Sequence, residues 1–129
     1  MMKLLLHGYS GAPRGRKNCV DLGFCSKKKF FPNVRHAGYD ACRSVHAEQN
    51  ALISGSRREM LGATLYLVQY RTDTGEYEEN PGCCQMCRKM IINAGIEQVI
   101  VRKTEKEYLV IPVSEWVKQD DLLQGKITY

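Results

Sequence analysis

The chain has 129 residues, of which 43% are hydrophobic and 26% charged, a length and balance that fit one globular domain and exclude a disordered or fibrous chain. No apolar run approaches the roughly 20 residues that span a bilayer, which excludes a transmembrane helix. Nineteen Lys and Arg against 14 Asp and Glu give a net charge of +5. That favours an anionic ligand but falls well short of a nucleic-acid-binding profile.

Met1-Met2-Lys3-Leu4-Leu5-Leu6 begins like a secretory leader. Its apolar stretch is too short, however, and no A-x-A cleavage site follows, so a cytosolic protein is expected. Leu4 to Tyr9 reads as a short buried strand, closed by the turn-forming loop Ser10-Gly11-Ala12-Pro13-Arg14-Gly15. From Arg16 to Asp40 no helical or strand period emerges, and a stretch that long needs a staple or a function. It carries Cys19, Cys25, His36 and the run Lys27-Lys28-Lys29, which reads as solvated surface.

Ala47 to Arg58 is expected to be a helix capped by Ser44. Gly62 to Val68 is apolar almost throughout, as in a strand covered on both faces. Thr72 to Gly82 is polar and turn-rich, a surface loop or small hairpin. A second helix is expected over Cys84 to Ala94, with Met86, Met90, Ile91 and Ala94 on one face and Gly95 at its C-terminal cap. Strands follow at Ile96–Arg102 and Tyr108–Val113, and Ser114 is expected to cap a last short helix. The order strand, helix, strand, helix, strand, strand indicates a three-layer α/β/α sandwich. It forms one domain over 1–129, with a cysteine-containing insertion at 15–42 and a surface loop at 72–82.

Six cysteines without an export signal point to metal ligands or redox thiols rather than disulfides. Cys83 and Cys84 are adjacent, which strains any bond between them. His46-Ala47-Glu48 opens the first helix, and Cys84-x-x-Cys87 opens the second. Either motif alone is weak, but H-x-E followed by C-x-x-C is the signature of zinc-dependent nucleobase deaminases. One imidazole and two thiolates leave zinc a ligand short, as catalytic sites do. Glu48, two residues after His46, lies near such a metal without having to bind it, which suits proton transfer. A purely structural zinc would need a fourth protein ligand, for which Cys83 is the available residue.

Three runs extend this signature: Cys42-Arg43-Ser44-Val45-His46-Ala47-Glu48-Gln49-Asn50-Ala51-Leu52, Gly62-Ala63-Thr64-Leu65-Tyr66, and Cys87-Arg88-Lys89-Met90-Ile91-Ile92-Asn93-Ala94-Gly95-Ile96. With Gly8-Tyr9-Ser10-Gly11-Ala12-Pro13-Arg14-Gly15, Asn18-Cys19 and Gly23-Phe24-Cys25, they resemble the deoxycytidylate (dCMP) deaminase family over about Gly8 to Val101. The resemblance implies a mixed sheet of the cytidine deaminase type, with zinc on His46, Cys84 and Cys87 and Glu48 as the proton shuttle. It implies hydrolysis of dCMP to dUMP and ammonia, a homo-oligomer, and dCTP and dTTP as effectors. Ser10, Arg14 and Ala47 are then the candidate substrate contacts, with Arg14 suited to the phosphate. By the same resemblance, Cys19, Cys25, His36 and Cys42 are candidates for a second, structural zinc.

The chain departs from the family at Cys83, where Pro is usual, at Ser10, where Asn is common, and in its longer 72–82 loop. The family also has a helix and a strand upstream of this chain's start, so the domain is expected to be N-terminally shortened. Met1 to His7 would then be poorly ordered, or would pair with a neighbouring subunit to cover the open sheet edge. Other readings are a deaminase of cytidine, guanine or tRNA adenosine, or an inactive zinc-binding module.

Overall fold

A computed structural model describes residues 6–33, 42–78 and 82–125 of the chain. Two compact units make it up, Met1–Ser54 and Gly55–Tyr129.

Among the described residues the first unit carries the helices α1 (Cys19–Leu22), α2 (Ser26–Phe30) and α3 (Ala47–Ile53). Helices α1 and α2 lie where the sequence shows no period, because four and five residues are too few to display one. Local hydrogen bonds set the entry to α1. Asn18 Oδ1 accepts from the Ala12 N–H at 2.8 Å, and the Asp21 carboxylate accepts from the Asn18 N–H at 3.2 Å. The strand expected over Leu4–Tyr9 is not present at residues 6–9, and Leu4 and Leu5 lie outside the described residues. Just beyond them Gly11 makes an antiparallel bridge with Val45, through reciprocal bonds of 3.2 and 2.7 Å.

The helix expected to run from Ala47 to Arg58 is two helices, α3 and α4 (Arg57–Met60), divided between the units at Ser54-Gly55-Ser56. Two serines explain the break. Ser54 Oγ donates to the Asn50 carbonyl at 2.8 Å, and Ser56 Oγ caps α4 by accepting from the Glu59 N–H at 3.3 Å. The cap of α3 is His46 rather than Ser44.

In the second unit, β1 (Thr64–Val68) runs parallel to β4 (Gln98–Arg102), and β4 pairs antiparallel with β5 (Tyr108–Pro112). This mixed sheet and its helices place the chain in the α/β class. Between β1 and β4 come the hairpin β2 (Tyr70–Arg71) and β3 (Glu76–Tyr77) and helix α5 (Gln85–Ala94). The Arg71–Asp73 ion pair at 2.9 Å stiffens the hairpin turn. Its hydrogen bond holds the Asp73 carboxyl below its ordinary value and the Arg71 guanidinium above its own. Helix α6 (Val113–Lys118) starts one residue before the expected cap Ser114, with Pro112 as its N-cap. The cause is Val113, which is buried and donates its N–H to the Glu97 carbonyl at 2.9 Å.

Register decides which sheet residues are buried. Leu67 and Val101 are partners, and both are buried, as is Val99. Helix α5 contributes Cys87, Ile91 and Ala94 to the buried set. The alternate β1 residues Tyr66 and Val68 are 58% and 57% exposed, so this strand is not covered on both faces as expected. Alternation is the natural pattern of a strand with one face covered, since successive side chains point to opposite faces. Among the described residues no helix is long and apolar enough to cross a membrane.

Helix α5 ends where expected, at Gly95, in the left-handed conformation with φ 79°. A Cβ there would also collide with Leu61 Cδ2, so the position excludes side chains twice over. Gly95→Ala is expected to destabilise the protein by about 1–3 kcal/mol, read as a lower urea midpoint at unchanged m-value.

Candidate metal centre

Helix α5 begins with the C-x-x-C turn. Cys84 is the N-cap, extended at φ −68° and ψ 166°, and its Sγ accepts the Cys87 N–H at 3.5 Å. Cys87 thus falls on the first turn, one turn away from its partner. Both thiols are buried, Cys87 fully so, and they lie at the positive end of a ten-residue helix.

His46 is the N-cap of α3, also extended, at φ −68° and ψ 150°. Its backbone N–H donates to Gln49 Oε1 at 2.9 Å, which fixes the residue's entry into the helix. Glu48 follows in the first turn and is 8% exposed, a buried carboxyl. The half-buried Ala47 is the first helical residue.

One ligand atom each from His46, Cys84 and Cys87 lie within 4.8 Å of one another. This donor set fits zinc, since one nitrogen and two sulfurs match its ligand preference and bonds of roughly 2.0–2.3 Å let one ion reach donors so gathered. Cys83 is buried at 2% exposure but is not one of the group.

The other candidates are placed differently. Ser10 and Arg14 are exposed on the loop after Tyr9. That loop is tied to α3, because Asn50 Nδ2 donates to the Tyr9 carbonyl at 2.8 Å and a Cβ on Gly8 would lie 2.5 Å from the Ala51 nitrogen. His36 lies outside the described residues. Among the described residues Cys19, Cys25 and Cys42 do not gather as a three-donor group, and no cysteine is disulfide-bonded. Sequence reasoning missed the tether made by Asn50 and the closure made by Gln49. The second was visible in principle, since a Gln three residues after a cap is a capping-box signal.

A helix-borne histidine and a cysteine pair, with a buried glutamate two residues after the histidine, make the donor pattern of the zinc-binding nucleobase deaminase domains. Residues 3–103 match the cytidine and deoxycytidylate deaminase zinc-binding region, and the chain belongs to that family. It is similar to the deoxycytidylate deaminase of Mycobacterium phage D29, with 34% identity over 100 residues. The match covers 74% of this chain and 66% of that relative, so the chain spans just under two thirds of the relative's length. No solved structure matches it.

Purified protein is expected to hold about one zinc per chain. Cys87→Ala should lose that metal and lower the unfolding temperature, because metal binding and folding share their free energy. Elemental analysis and thermal unfolding of the same sample check both, and full metal occupancy in the variant would contradict the assignment.

Proposed function

We propose that the chain is a zinc-dependent deaminase that hydrolyses dCMP to dUMP and ammonia. The observation that carries this reading is the convergence of the His46, Cys84 and Cys87 donors together with a buried Glu48 in the turn that follows His46. Family membership and the similarity to a deoxycytidylate deaminase support the choice of nucleotide.

Zinc at the three donors supplies Lewis acidity that makes a water nucleophilic at neutral pH. Glu48 then does the proton work. It takes a proton from the attacking water as the oxygen bonds to C4 of the cytosine ring, and passes it to N3. A second proton, moved by the same carboxyl, reaches the amino nitrogen as the C4–N bond breaks and ammonia leaves. The C4 carbonyl of dUMP completes the balance. Burial keeps this carboxyl from bulk water, and its place two residues after a ligand fixes its distance along the turn.

Ser10 and Arg14 are the proposed substrate contacts on the N-terminal loop, with Ala47 at the start of α3. The exposed Arg14 guanidinium offers two parallel donors to the 5′-phosphate. A homo-oligomer and nucleotide effectors belong to the same reading, by family likeness.

Ammonia release from dCMP, dCTP, cytidine and guanine tests the substrate. Turnover of dCMP well above the rest is expected, and turnover of guanine or cytidine alone would redirect the reading within the superfamily. Glu48→Gln should retain zinc and fold while kcat falls by a factor of about 10²–10⁴. Parental turnover in that variant would remove Glu48 from the mechanism. Arg14→Ala should raise KM for dCMP by roughly tenfold or more, the worth of one charge-assisted contact, and change little for the nucleoside. An equal effect on both would place the phosphate elsewhere.

A further inference from the structure

Arg88 lies four residues after Cys84 on α5, where a surface arginine would ordinarily extend into water. Its backbone behaves as helix geometry requires, the N–H donating to the Cys84 carbonyl at 2.9 Å. Its side chain turns back instead. Nε donates to the Cys83 carbonyl at 2.9 Å, and the guanidinium carbon lies 5.2 Å from the centre of the Trp116 ring on α6. Both Arg88 and Trp116 are half-buried, and α5 and α6 pack against each other.

The Cys83 carbonyl is the informative acceptor. The helical ladder of α5 begins with the Cys84 carbonyl, so the peptide joining Cys83 to Cys84 lies outside it. That peptide sets φ of Cys84, so holding it keeps Cys84 in the extended conformation of an N-cap and fixes how the preceding loop enters the helix. We propose that Arg88, clamped by Trp116, is a positioning residue for the metal ligands, fixing the Cys83–Cys84 peptide plane and with it the place of Cys84 at the helix cap. The proposal rests on reading His46, Cys84 and Cys87 as the metal centre. A second bond holds the same loop from the other side, the Gly82 N–H donating to Gln69 Oε1 at 2.7 Å. The planar guanidinium suits the task because it can donate along its edge while stacking on an aromatic face, which an ammonium cannot do. Groups that orient a ligand in this way tune metal affinity without touching the metal.

Arg57 provides an internal control. Its Nε donates to the Asn93 carbonyl at 2.8 Å, a bond of the same kind near the opposite end of α5. If arginine–carbonyl bonds merely stabilise the helix, the two arginines should behave alike.

The experiment compares the full chain with Arg88→Ala, Arg88→Lys, Trp116→Ala and Arg57→Ala, using Zn²⁺ in chelator competition and Co²⁺ for the thiolate-to-metal absorption band. Arg88→Ala is expected to weaken zinc binding about 10- to 100-fold and to shift the cobalt band. Trp116→Ala should move both readouts in the same direction by less. Arg57→Ala should lower the unfolding midpoint of the metal-free protein while leaving affinity and band in place. Should Arg88→Ala fail to fold, Arg88→Lys and Trp116→Ala carry the same two readouts. Zinc affinity within twofold of the parent together with an unchanged cobalt band in the Arg88 variants would overturn the proposal. So would an equal loss of affinity in Arg57→Ala. If the parent chain itself takes up no zinc, the metal-centre reading falls first and the proposal falls with it.

Discussion

The site depends on one local constraint, the geometry of a residue that is still extended while its successor is already helical. His46 and Cys84 both occupy that position, with ψ of 150° and 166°. An N-cap side chain stays in front of the helix end, among N–H groups that have no acceptor within the helix. A ligand placed there faces the metal from a defined direction, and the first turn behind it sets what can follow. Cys87 comes round after three residues, and its N–H closes onto Cys84 Sγ. Glu48 comes after two, near the ligand but displaced around the turn. The H-x-E and C-x-x-C spacings are therefore statements about how much of one helical turn separates a cap from its neighbours. A substitution that drew either cap into its helix would move a ligand without removing it.

Burial around this geometry runs against stability. Among the described residues Glu48 is the charged side chain that falls in the buried class. A carboxyl removed from water costs free energy that an apolar residue of similar size would not. Among the described residues no fully buried side-chain nitrogen or oxygen lacks a partner.

The parts legible in the sequence are those where period and punctuation agree. Helix α5 has Cys84 at its cap, Ile91 and Ala94 on its buried face, and Gly95 at its end, as one-dimensional spacing implies, whereas Met86 and Met90, expected on the same face, are only half-buried. Strands β4 and β5 were readable for the same reason. The unread parts depend on bonds the sequence does not announce. Ser54 and Ser56 divide a continuous helical pattern with two hydroxyls, and Val113 starts α6 early because it is buried and bonded to Glu97. The exposed Tyr66 and Val68 show the opposite failure, since an unbroken apolar run looks alike whether one face of its sheet is covered or both. Arg88 left no trace at all, because nothing local distinguishes an arginine that turns back to Cys83 from one that extends into water.

Helix α3 shows how closely such a segment can be specified by its neighbours. Its seven residues and cap spell H-A-E-Q-N-A-L-I, and most of them have a task that their type explains. His46 supplies a donor, Glu48 the buried carboxyl, Gln49 the bond to the cap N–H, and Asn50 the bond to the Tyr9 carbonyl. The two alanines allow an approach rather than a bond. A Cβ on Gly8 would stand 2.8 Å from the Ala47 carbonyl oxygen and 2.5 Å from the Ala51 nitrogen, so backbone meets backbone there with no room for a side chain between. Gly8 and the small face of α3 are therefore one feature, and they determine where the loop carrying Ser10 and Arg14 leaves the helix. Ser10 and Arg14 are themselves exposed, but the path of their loop is fixed by the glycine, the two alanines and Asn50. A larger residue at position 8 would displace the loop from α3 while leaving every donor on the helix in its place.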